Sequence, residues 1–143
     1  MKKELVEGIV SSKKGFVISD ICYVLSDDIY FNLWGKKKKF ADGIFEINGF
    51  SFAVGSTAYG DGIHYDNACH KYSVDAGVIG LVPLELVTEK EGSGLGAVFN
   101  IPGEAKFKSE NGIFNITLPD GQNIHIDTAN AWDDGNDEDN GEK

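Results

Sequence analysis

Arginine is absent from this chain: all thirteen basic residues are lysines, set against 23 acids for a formal net charge of −10. Lysine binds phosphate as a point charge, but the planar fork suited to bidentate phosphate recognition is missing. Together with the negative charge, this argues against direct binding to a nucleic-acid backbone. Cysteine is scarce, only Cys22 and Cys69. Two are too few for a secreted disulfide framework and read as free thiols in a reducing compartment. No apolar run approaches the roughly 18 residues needed to cross a bilayer, and the N-terminal residues lack the apolar core of a signal peptide. The expected location is therefore the cytoplasm, without a membrane partner.

What is present suits one domain. A chain of 143 residues with 41% hydrophobic content can bury a core without metal or disulfides. Charge divides it unevenly. Residues 129–143 hold six acids and one lysine, while 1–128 hold 17 acids and 12 lysines. The expected organisation is a single β-rich domain over 1–128 and an acidic, disordered tail over 129–143 with Trp132 as its one aromatic. The four lysines Lys36 to Lys39 read as a solvated loop.

Hydrophobic periodicity favours strands. "ELVEGIVSS" and "GFVISDICYVL" alternate apolar and polar residues and are joined by the polar turn "SKKG". "SDDIYFNLWG" changes character: Ser26 or Asp27 can cap a helix over about residues 27–34, which Gly35 would stop. Asn48-Gly49 and Asp66-Asn67 mark hairpin turns, and Pro119-Asp120-Gly121 separates the alternating "FNITL" and "NIHID". The apolar run "GVIGLVPLELV" reads as a central strand ending near Pro83. Short strands at roughly ten-residue spacing, punctuated by 18 glycines, predict an all-β, mainly antiparallel sandwich or barrel with one short helix.

Candidate chemistry concentrates between Ser56 and Leu86. "AYGDG" invites a phosphate-loop reading, but a strand pattern follows it where such a loop needs a helix N-terminus. Asp61, His64, Asp66, Cys69 and His70 lack paired zinc-ligand spacing and the calcium-loop pattern, so no metal or cofactor is expected. Cys22 shares a predicted strand face with Asp20, and a carboxylate beside a thiol works against thiolate formation.

Two stretches, "ISDICYVLSDDIYFNLW" (18–34) and "YSVDAGVIGLVPLEL" (72–86), with "AYGDG" between them, carry a wider pattern. The chain resembles a family of small, uncharacterised bacterial and bacteriophage proteins that share S-D-P-C-Y and V-D-A/S-G motifs. Asp20, Cys22, Tyr23, Tyr59, Gly60, Asp61, Gly62, Asp75 and Gly77 match, while Ile21 stands where the pattern has proline. The resemblance implies an accessory gene of a phage or mobile element and brings no activity with it.

Asp20 and Asp75 either accept backbone amides at strand ends or rim a ligand pocket. In the second case Asp61 joins them, with Tyr23, Tyr59, Tyr65 and Tyr72 as stacking faces. The expected function is stoichiometric capture without catalysis, as by an anti-defence or immunity-type inhibitor. Its target would be a basic protein partner or a small ligand such as a signalling nucleotide. The alternatives are a small hydrolase using aspartate, cysteine or a metal, and an assembly protein that oligomerises through exposed strand edges.

Overall fold

The computed structural model describes residues 5–26, 28–37, 41–60, 62–74, 77–87 and 96–129. The tail beyond Ala129, together with Asp27, Lys38, Lys39, Asp61 and Asp75, lies outside them. Eleven strands form among the described residues: β1 (Val6–Ser12), β2 (Phe16–Ser19), β3 (Gly43–Ile47), β4 (Phe50–Ser56), β5 (Gly62–Tyr65), β6 (Lys71–Val74), β7 (Val78–Pro83), β8 (Ala97–Phe99), β9 (Gly103–Glu110), β10 (Ile113–Thr117) and β11 (Asn123–Asp127). They build a four-stranded sheet in the order β1-β9-β10-β11, a five-stranded sheet in the order β3-β4-β7-β2-β8, and the β5-β6 hairpin. Every pairing is antiparallel. The fold is an all-β sandwich with one helix.

Burial explains which strand joins which sheet. Strand β9 alternates buried and exposed residues, and β10 and β11 alternate buried with mostly half-buried ones, as an outer sheet with one wetter face requires. In contrast, all of β2 and all of β7 are buried, because the five-stranded sheet is covered on both faces. Its inner face packs on Val10, Phe107, Phe114, Ile116, Ile124 and Ile126 of the four-stranded sheet. Its outer face carries Val17, Phe52, Val54 and Val82 under Ile21, Leu25, Ile29 and Trp34. Where β7 runs close to its covering layer, Gly80 leaves no space: a Cβ there would sit 2.4 Å from Ile21 Cγ2 and 2.8 Å from the Ala53 carbonyl oxygen.

The hairpin turns fall where the sequence puts them. Asn48 and Gly49 both adopt positive φ, 53° and 83°, as the two-residue turn between β3 and β4 requires. The "SKKG" turn joins β1 to β2 as expected, and since β1 pairs with β9 while β2 pairs with β7 and β8, it crosses between sheets. Glu85 braces that crossing, accepting from Ser12 Oγ at 2.5 Å and the Lys13 amide at 2.8 Å.

Two local expectations change. The strand over "GFVISDICYVL" stops at Ser19. Asp20 Oδ1 accepts the Cys22 amide at 3.1 Å and caps a 3₁₀ turn, Ile21–Tyr23, so Asp20 and Cys22 do not share a strand face. The helix spans Asp28–Lys37, wound wider than an α-helix, and runs past Gly35, which is buried within it. Ser26 caps it: its Oγ accepts the Ile29 amide and its carbonyl the Tyr30 amide. Among the described residues no helix is long and apolar enough to cross a membrane.

Candidate functional site

The β5-β6 hairpin is attached to the edge of the four-stranded sheet by its own turn. An isolated antiparallel bridge joins Asp66 to Ile126 of β11. Asn67 completes the seam with three bonds. Its amide donates to the His125 carbonyl (3.1 Å), its Oδ1 accepts the His125 amide (3.0 Å), and its Nδ2 donates to the Asn123 carbonyl (3.0 Å). A side-chain amide thus stands in for one more backbone pair, and it is the turn of the hairpin, not β5 itself, that is bonded to β11.

Asp66 is the hub of the turn. Oδ1 accepts the amides of Ala68 (2.7 Å) and His70 (3.0 Å). Oδ2 accepts His70 Nδ1 (2.8 Å) and the Tyr72 hydroxyl (2.7 Å). Burial pushes the Asp66 carboxyl upward, but the bonds from Tyr72, His70 and Ala68 outweigh it and hold the carboxyl below its ordinary range. Burial, then the bond to Asp66, then its charge raise the Tyr72 phenol. The His70 ring meets Phe99 of β8 edge-on at 5.4 Å, so the hairpin also leans on the five-stranded sheet.

Strand alternation sorts the hairpin side chains. His64 and Tyr72 face each other across the register and are buried, while Ile63 and Tyr65 are 57% and 58% exposed. Both ring nitrogens of His64 are buried with no hydrogen-bond partner. Burial lowers its pKa below the ordinary 6.5, so the ring is held neutral. In the unfolded chain His64 takes up a proton more readily, so stability falls as pH drops below about 6.5. His64→Leu removes two unsatisfied groups at similar volume. We expect a gain of about 1 kcal/mol at pH 7 and a flatter profile between pH 5 and 7 in urea unfolding.

Outside the seam lies an open cleft of about 390 Å³, lined by Ile63, His64, Tyr65, Asp66, Asn67, His125 and Asp127. All three histidines of the chain stand at or beside it, because His70 is bonded to Asp66. His125 is fixed twice, by its backbone on Asn67 and by its Nδ1 at 2.8 Å from Asn115 Oδ1. An amide oxygen only accepts, so Nδ1 is the donor of this bond. Asp127 Oδ1 accepts the Ala129 amide at 3.0 Å.

The residues singled out from sequence divide among several places. Tyr65 lines the cleft, and Tyr59, on the preceding loop, is 66% exposed. Tyr72 is fully buried in the inner core, with its hydroxyl on Asp66. Tyr23 packs against the core on the opposite face of the five-stranded sheet, so these two do not share a pocket. Asp20 is buried as a cap. Asp61 and Asp75 fall outside the described residues.

Their flanking glycines do meet. Thr57 Oγ1 donates to the Gly60 carbonyl (2.6 Å), and the Thr57 amide to the Gly77 carbonyl (2.9 Å); a Cβ on Gly77 would lie 3.6 Å from Gly60 Cα. Gly60 and Gly77 therefore lie side by side on Thr57, and β5 follows Gly60 in the chain as a strand. His125 and Asp127 escaped the sequence reading although their strand was recognised. The alternation of "NIHID" places them on one outward face, which is the signal that finds them.

Among the described residues no group of three histidine, cysteine or acidic side chains is placed to hold a metal ion. No protein-family model, no curated protein and no solved structure matches the chain.

Proposed function

We propose that this chain is a non-enzymatic binding protein that captures a basic protein partner stoichiometrically, through the outer sheet face at the β5–β11 cleft. The observation that carries this reading is the pairing of Ile63 and Tyr65, both more than half exposed on one side of β5, with the carboxylate of Asp127. Exposed apolar and aromatic side chains beside an acid, on a chain of net charge −10, complement a surface rich in cationic side chains. The resemblance to bacteriophage proteins adds the context of an accessory inhibitor, working in the cytoplasm by covering a basic surface.

The hydrolase alternative has a histidine oriented by an aspartate, His70 on Asp66, as a general base would be. Among the described residues, however, no hydroxyl or thiol hydrogen-bonds that ring, and Asp66 is already engaged by four donors of its own hairpin. The pair is a structural staple.

Native mass spectrometry of the protein from its host's lysate tests the proposal. The expected result is a one-to-one complex with a basic protein, whose affinity falls about tenfold or more between 50 and 500 mM salt. A bare monomer, or a partner held without regard to salt, overturns it.

A further inference from the structure

A single side chain anchors β5 to the interior. Of Gly62, Ile63, His64 and Tyr65, His64 alone is buried, and neither of its ring nitrogens has a hydrogen-bond partner. A buried polar group without partners lowers stability, so this anchor is a weak one. β5 belongs to neither large sheet: its ladder is to β6, and the turn beyond it carries the bonds to β11. The rest of the hairpin is held independently. Tyr72 and Val74 of β6 lie in the inner core, and Asn67 clamps β11. Release of β5 costs its ladder and the burial of His64, and leaves those anchors in place.

β6 and β11 are the elements packed most closely against β5. Tyr72 of β6 stands opposite His64, its phenol raised by burial and by Asp66 and so uncharged, while Lys71 stands opposite Tyr65. β11 brings His125, bonded to Asn115, and Asp127, which accepts the Ala129 amide. At the turn, Cys69 is exposed, and Asp66 takes four donors that include His70 but not His64. No carboxylate bonds the His64 ring, so a proton on it gains no bonded anion while β5 is closed.

We propose, resting on the reading of Ile63 and Tyr65 as capture surface, that His64 is an acid-sensitive latch whose protonation releases β5 from β6 and withdraws that surface from the partner. In the closed strand burial lowers the pKa of the ring, whereas in the open strand it titrates at the ordinary 6.5. The closed strand is therefore favoured in full above about pH 6.5 and loses ground below it. One pH unit lower, the open population rises about tenfold.

Amide hydrogen exchange on the full chain, read by NMR with and without low urea, tests the latch. The Asp66 amide donates to the His70 carbonyl, so strand alternation makes His64 and Tyr72 the next bonded pair, and their amides report release. Their protection factors are expected to fall about tenfold between about pH 7.5 and 5.5, with the small urea dependence of a local opening. In His64→Leu, and in the polar but uncharged His64→Gln, the fall is expected to stay below about twofold.

Exchange of these amides through global unfolding alone, or a tenfold fall that persists in His64→Leu, overturns the latch. Retention of the basic partner should weaken over the same pH range in wild type and not in His64→Leu. If a basic partner is captured but held equally at both pH values, the capture reading stands and the latch falls. If exchange behaves as expected but no basic partner is found, release of β5 stands and the capture reading falls.

Discussion

Asp66→Ala is expected to destabilise the fold by about 3–5 kcal/mol, read as a lowered urea midpoint. Four donors converge on this one carboxylate: two amides of its own turn, the His70 ring and the Tyr72 hydroxyl. Removing it leaves the buried Tyr72 hydroxyl without its acceptor, and a buried donor without a partner costs about 1–3 kcal/mol. The loss also propagates, because the same turn carries the bridge to Ile126 and the Asn67 clamp on β11.

Asp66→Asn should cost roughly half as much. Its oxygen can keep the two amides, and its nitrogen can donate to an unprotonated His70 Nδ1 or to the Tyr72 oxygen.

The sign of the pH effect follows from the depressed carboxyl. Its contribution is fully present above the ordinary value of 3.8 and is lost as pH falls through the lower folded value. Wild type and Asp66→Ala should therefore converge in stability in strong acid and differ most from about pH 5 upward. Parallel curves down to pH 2 would contradict the hub role.

Trp34→Ala is the second large effect, again about 3–5 kcal/mol, from a side chain only 2% exposed. Trp34 is the main anchor of the helix on the five-stranded sheet. It packs among the residues of the outer core, stacks at a tilt on Tyr30 at 5.4 Å, and donates from Nε1 to the Ala41 carbonyl at 2.8 Å. Truncation opens a cavity and removes that bond.

Trp34→Phe keeps most of the packing and is expected to lose only about 1–2 kcal/mol. Hydrogen exchange separates the two layers. Amides of the helix and of β3 should lose protection first, while β9 and β10 in the other sheet keep theirs. Equal loss across both sheets would mean that the helix is not an independent cover.

Much of the fold was legible because it is encoded within a few residues. The Asn48-Gly49 turn needs two positive φ angles, and that dipeptide is among the few that accept both. "FNITL" and "NIHID" alternate cleanly, and they pair in register from Ile113↔Asp127 to Thr117↔Asn123. The helix was visible through its Ser26 cap and its apolar spacing. Its end was not, since Gly35 usually stops a helix but here lies buried inside one.

The site was much less legible. Tyr65 was recognised, but its partners His125 and Asp127 stand some sixty residues further along the chain. Tyr72 looked like a stacking face because tyrosine in a turn-rich stretch is often exposed. Its place in the strand register decides otherwise, by pointing it with His64 into the core.

By itself, then, the sequence determined the strand-rich class, the turn positions, the helix start and the acidic balance, all properties of short windows and of composition. Tertiary structure alone decided that β1 and β2 lie in different sheets, that Asp20 caps a turn, and that Asp66 gathers four donors. It also decided that β5 lies beside β11 to frame a cleft. Alternation states which side of a strand is apolar, but not which strand will cover it. That choice depends on burying both faces of the five-stranded sheet at once, a condition met only when distant segments pack together.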